Sequence, residues 1–268
     1  MKEISPPRPP VGLPHRRLCL AVDVEQYSRL DTLMQSAVQS ELVRMLDEAA
    51  ALTGLDRAAW MRQPQGDLEF AVLPEATPEH AVLGPFVHHL AVRVGDRNTC
   101  PAAQRVRLRM AVDTGMVATA ALGHAGPAPV AVARYVNAPQ LKAVLATLTA
   151  ADLAVIVSDR LYQDIVRSGR RGLDPTQYVR AHVRVKEFGG YGWIRVPGHA
   201  PDDVRSAVAE SPEPDQKPSP EADAPSRTTR TDLSQYVHQG AAVGRDVVGG
   251  LTVGLPVAPP PASSGPAR

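Results

Sequence analysis

Residues 17–28 read Arg17-Leu18-Cys19-Leu20-Ala21-Val22-Asp23-Val24-Glu25-Gln26-Tyr27-Ser28. The uncharged run between Arg17 and Asp23 is short, β-branched or apolar throughout, and bounded by charge, the pattern of a buried strand. Asp23 closes that strand, where an unpaired carboxylate is costly. Working outward, residues 31–53 place Leu33, Val38, Leu42, Met45 and Leu46 at helical spacing. Residues 60–63 and 68–73 read as strands around the turn Pro64-Gln65-Gly66-Asp67. Residues 78–94 form a helix with Pro78 at its start. Residues 106–112 alternate apolar and basic side chains as a strand, with residues 116–122 expected as its hairpin partner through Thr114-Gly115. A helix over 130–148, a strand over 153–157, a helix over 159–167 and a hairpin of 178–186 with 191–196 complete the series. The order predicts an α+β fold, an antiparallel sheet covered by helices on one face.

Composition narrows the classes. Hydrophobic residues are 44% of the chain and aromatics only 4%, so the core is built from Ala, Val and Leu. A formal net charge of +1 argues against a nucleic-acid binder and gives no pull toward membranes. No stretch reaches the roughly 18 apolar residues of a membrane span. The first sixteen residues lack the apolar run of a secretory signal. Cys19 and Cys100 fit neither a zinc motif nor a disulfide framework, and the expected home is a reducing cytoplasm.

The domain expected from these signals spans 15–197, after a flexible N-terminus at 1–14. Residues 198–235 are rich in Pro, Asp, Glu, Ser and Ala and read as a disordered linker. Residues 236–255 are apolar, glycine-rich and free of proline, a composition suited to stacked strands. Residues 256–268 return to Pro, Ala and Ser.

Five segments, in order along the domain, resemble the class III adenylate and guanylate cyclases. They are Ala21 to Ser28, in which Asp23, Tyr27 and Ser28 match; Gly66-Asp67 with the apolar strand to Pro74; Met110 to Gly115; Gly126 through Ala133-Arg134-Tyr135; and Val183 to Lys186. The resemblance implies a ferredoxin-like antiparallel sheet of the class III nucleotidyl cyclase type. It also implies a homodimer acting on a nucleoside triphosphate. In that reaction the ribose 3′-hydroxyl attacks the α-phosphate and pyrophosphate leaves. Asp23 and Asp67 would hold two Mg2+ or Mn2+ ions per site, ions that prefer hard oxygen ligands. Arg134 would come from the other subunit to stabilise the transition state, its fork matching phosphate oxygens. Lys186 would hold the triphosphate tail.

Each residue has a plainer reading. Aspartate at a strand end serves as a turn or cap residue, and arginine on an amphipathic helix or lysine beside a hairpin is commonly solvated. The chain also departs from the family. Val130 stands where the family has a ribose-orienting asparagine. Arg62-Gln63-Pro64-Gln65 lacks the base-reading lysine. Glu25 and Gln26 replace the apolar and glycine residues behind the first aspartate, and Asp113 stands where His is common. The alternative function is therefore a catalytically degenerate cyclase-like module that dimerises or senses a nucleotide. Residues 236–255 resemble bacterial amyloid signalling motifs, which implies a protein partner recruited through the tail.

Overall fold

The structure, a computed structural model, describes residues 13–100, 104–169 and 171–211. The segment 236–255 and its proposed strand-stacking role lie outside these residues.

The strand predicted around Asp23 is β1 (His15–Val24), and it sits inside the sheet rather than at its edge. It pairs antiparallel with β3 (Leu68–Val72) on one side and with β4 (Leu108–Ala120) on the other. β2 (Met61–Gln65) pairs antiparallel with β3. The resulting order β2-β3-β1-β4 is that of a split β-α-β unit, the ferredoxin-like arrangement. Helix α1 (Thr32–Thr53) makes the first crossover. Asp31 caps it by accepting from the Met34 amide at 2.8 Å, and Gly54 ends it in the left-handed region. The second crossover runs through α2 (Glu79–Ala81), a π-helical stretch Val82–Phe86 and α3 (Val87–Asn98). Pro85 lies inside that stretch, and its missing N–H accounts for the widened turn.

The sheet continues past β4 through β6 (Leu153–Ser158), which runs parallel to β4 and leads into the short helix α6 (Asp159–Leu161), and then through β8 (Phe188–Arg195) to β7 (Val179–Val185) at the edge. The sheet is thus antiparallel except at the β4–β6 junction. Helices cover both of its faces, not one. Leu18, Leu20, Val22 and Val24 pack with residues of α1 and α3, whereas Cys19 and Ala21 pack beneath α4 (Pro127–Val136) and α5 (Pro139–Thr147). This explains why β1 reads as an unbroken apolar run instead of alternating. No helix among the described residues is long and apolar enough to cross a membrane.

Three expectations need correction. Residues 108–120 form one continuous strand, and its partner is the short β5 (Gly123–Ala125). Thr114-Gly115 is not a turn: a Cβ on Gly115 would stand 3.2 Å from the Ala128 methyl, so the glycine serves close approach of α4. The helix expected over 130–148 is broken into α4 and α5, with Pro139 opening the second. The linker does not begin at 198. Helix α7 (Pro201–Ala209) packs Val204 and Ala207 into the core beside α5. Its apolar face is only these few side chains wide, too little to outweigh the surrounding Pro, Asp and Ser in a composition reading.

Gly126 opens α4 with φ 130°, a conformation that side chains rarely adopt, and an added methyl would collide with the Met116 carbonyl. Gly126→Ala should lower the unfolding free energy by about 2–4 kcal/mol. A urea melt within a few tenths of the parent would show that this approach is not needed.

Candidate active site

Asp23 lies at the C-terminal end of β1, opposite Leu68 of β3 and Arg109 of β4. Asp67 occupies the β2–β3 turn beside Gly66, which takes φ 68°. The amide of Val24 donates to the Asp67 carbonyl at 3.2 Å. The two aspartates predicted to work together are therefore neighbours at one end of the sheet.

Asp23 is only 7% exposed. Its Oδ2 accepts from Nη2 of Arg109, and the two form a buried ion pair. Burial nevertheless raises the Asp23 carboxyl to about 6, against the pull of Arg109, and the negative charge of Asp67 adds to the rise. Lys142 of α5 lies near enough to act on Asp23, and burial and Arg109 together lower its own pKa. Two carboxylates, a guanidinium and an ammonium thus gather at this end of the sheet, with Asp23 buried among them. Two nitrogens of Arg109, Nε and Nη1, are buried without an acceptor.

The segment after β1 is shaped with some strain. Gln26 sits in the left-handed region at φ 58°, a conformation that glycine adopts more easily. Glu25 does not face this end as a bare charge. Its carboxylate pairs with Arg107 at 2.8 Å, and its amide donates to the Arg107 carbonyl at 2.8 Å.

Arg134 and Lys186 lie elsewhere. Arg134, near the C-terminus of α4, has Nη2 3.7 Å from Glu187. It also lines a groove of about 330 Å3 between α4 and the β2–β3 hairpin, with Leu68, Phe70, Ala133 and Asn137 among its walls. Val130 lines the same groove and is 52% exposed, an apolar side chain where a hydrogen-bonding one is expected from the resemblance. Lys186 occupies the β7–β8 turn at φ 55°. The strand registers carry that turn to the end of the sheet opposite Asp23. Asp113 is buried within β4 and accepts from the Thr114 amide at 2.8 Å; burial raises its carboxyl.

Sequence reading missed Arg109 and Lys142. For Arg109 a signal was present: Arg105, Arg107 and Arg109 alternate along the approach to β4, and a buried Asp23 requires a cation. Lys142 had no such signal, because only the break at Pro139 turns α5 toward this end.

No family model and no curated protein matches the chain. Solved structures similar to it include nucleotidyl cyclases. The guanylyl cyclase Cya2 shares 11% identity with a TM-score of 0.49, over 69% of this chain and 93% of that one. The adenylate/guanylate cyclase/hydrolase from Silicibacter pomeroyi shares 18% with a TM-score of 0.47, over 69% and 99%. The adenylyl cyclase CyaB from P. aeruginosa shares 12% with a TM-score of 0.45, over 70% and 97%. The α+β class itself stands on the order and register of this chain's own strands.

Proposed function

We propose that the chain is a divergent class III cyclase-like signalling domain that binds a nucleoside triphosphate with Mg2+ or Mn2+ and converts it to a cyclic nucleotide as a homodimer. The observation that carries the reading is that Asp23 and Asp67 lie side by side at one end of the sheet, Asp23 buried against Arg109.

The donor set suits a metal that arrives with its nucleotide. Among the described residues no group of three or more His, Cys, Asp or Glu side chains could hold an ion alone. Magnesium commonly binds through one or two carboxylates with phosphate oxygens completing its shell. Asp23 and Asp67 supply the carboxylates. A divalent ion there would acidify the ribose hydroxyl and neutralise phosphate charge. The unpartnered nitrogens of Arg109 offer donors to a phosphate oxygen, a role that guanidinium fills well. Lys186 lies at the far end of the sheet from Asp23 in one chain, so a site using both needs a second copy.

A second reading rests on Val130. With no hydrogen bond to orient the ribose, alignment suffers, and such losses cost about a hundredfold in rate. A domain that binds nucleotide without turnover is the form this reading takes, with a partner recruited through residues 236–255.

The test is incubation of the purified chain with each of the four nucleoside triphosphates and manganese, followed by mass spectrometry. Cyclic product that disappears with Asp23→Asn supports the enzyme. Nucleotide binding without product supports the sensing module. Absence of both overturns the proposal.

A further inference from the structure

Strand β7 ends the sheet, and among the described residues no backbone group pairs along its outer side. Its buried side chains, Val179, Ala181 and Val183, face the core beneath α5 and α7. On the other sheet face Arg180, His182 and Arg184 are all exposed, at alternate positions. Their cross-strand neighbours in β8 are Trp193, Tyr191 and Gly189. The Arg180 guanidinium lies 3.7 Å from the centre of the Tyr191 ring, and the His182 ring is 5.0 Å from it.

Charged side chains on an edge strand commonly guard it against unwanted pairing. Here two of them also lack an ion-pair partner. Arg16, Arg44, Arg105 and Arg205 each meet a carboxylate, whereas Arg180 and Arg184, like Arg62 and Arg160, meet none among the described residues. The stripe therefore sets two guanidiniums without a carboxylate partner, with His182 between them, beside a free row of backbone donors and acceptors.

We propose that the outer edge of β7 is the docking site for an extended acidic peptide, which joins the sheet as an added strand. The charge pattern specifies the partner. In an added strand, side chains on one face recur every ~6.6 Å, the spacing of the basic row. Residues directly opposite one another interact across strands, so Arg180, His182 and Arg184 select acidic side chains at alternate positions. The intervening positions of the partner lie next to Val179, Ala181 and Val183 and are best filled by small apolar residues. Main-chain hydrogen bonds then supply affinity and the alternating charges supply selectivity. A single-stranded nucleic acid is the weaker fit, because Arg180 already covers the Tyr191 ring on which a base would stack.

The test uses the full chain and a labelled peptide of sequence Glu-Val-Glu-Val-Glu-Val-Glu, with Lys-Val-Lys-Val-Lys-Val-Lys as its counterpart. The acidic peptide should bind, and alternate amides of 179–185 should gain protection from hydrogen exchange. The double variant Arg180→Glu/Arg184→Glu should weaken it at least about tenfold and should bind the lysine peptide instead. Binding that survives the reversal, or binding without protection of β7, overturns the proposal. So does tighter binding of a single-stranded oligonucleotide, or no binding by either peptide. None of these results depends on cyclase activity.

Discussion

Glu69→Ala should cost the fold about 3–5 kcal/mol, one of the largest single-residue losses in the chain. Glu69 lies on β3 and is almost fully buried, as is its partner Arg57. Nη2 of Arg57 donates to both Glu69 oxygens, at 2.9 and 2.8 Å. Burial raises the Glu69 carboxyl and lowers the Arg57 guanidinium, each against the attraction of the other. Desolvation therefore outweighs the pairing for both partners. Removing one partner strands the other charge in the core, although the exposed Asp47, 2.9 Å from Arg57, relieves part of the loss in Glu69→Ala. Arg57→Met should cost more, because Glu69 has no second cation at comparable distance among the described pairs. The double variant Arg57→Met/Glu69→Leu should recover most of the stability or exceed the parent, since an apolar pair of similar volume avoids the desolvation. Urea melts of the four proteins close the cycle. A single variant within about 1 kcal/mol of the parent would show that the pair is solvated in solution.

At pH 7.5, Asp67→Ala should weaken binding of manganese with ATP or GTP by at least about a hundredfold, the upper range seen when only an outer-shell partner is lost. Calorimetry measures this directly, and unchanged binding would leave Asp67 as a turn residue. The parent should also lose affinity as pH falls through about 6, because a proton then competes for Asp23. The effect on the metal-free fold has the opposite sense. The folded Asp23 carboxyl titrates above the ordinary carboxylate value of about 4, so between about 4 and about 6 the folded chain holds a proton that the unfolded chain releases. Its contribution to stability is complete below that window and is lost as pH rises through it. Metal-free melts that gain stability from Asp23 with rising pH across this range would contradict its burial.

The strands and long helices were legible because burial writes a strong pattern into them. The run Leu18 to Val22 admits little besides a covered strand, and Gly66-Asp67 between two short β-prone stretches admits little besides a turn. What failed depended on tertiary contact. Gly115 looks like a turn glycine until Ala128 is packed against it, and Val204 with Ala207 looks incidental until α5 is in place. At the site, sequence picked the two aspartates that the fold brings together. It missed Arg109, which faces Asp23 across strands joined at residues 84 or more apart, a distance over which local patterns carry no information.

The position of β1 has a consequence for how the chain comes to be folded. Both neighbours of β1 lie later in the sequence, β3 at 68–72 and β4 at 108–120. During synthesis the first strand of the domain, apolar from Leu18 to Val22, therefore emerges well before anything can cover its far side. At ordinary elongation rates of ~5–20 residues per second, that interval lasts several seconds. Leu18, Leu20 and Val22 spend that time beside α1 alone, and a chaperone that shields short apolar strands on the ribosome would find its target there.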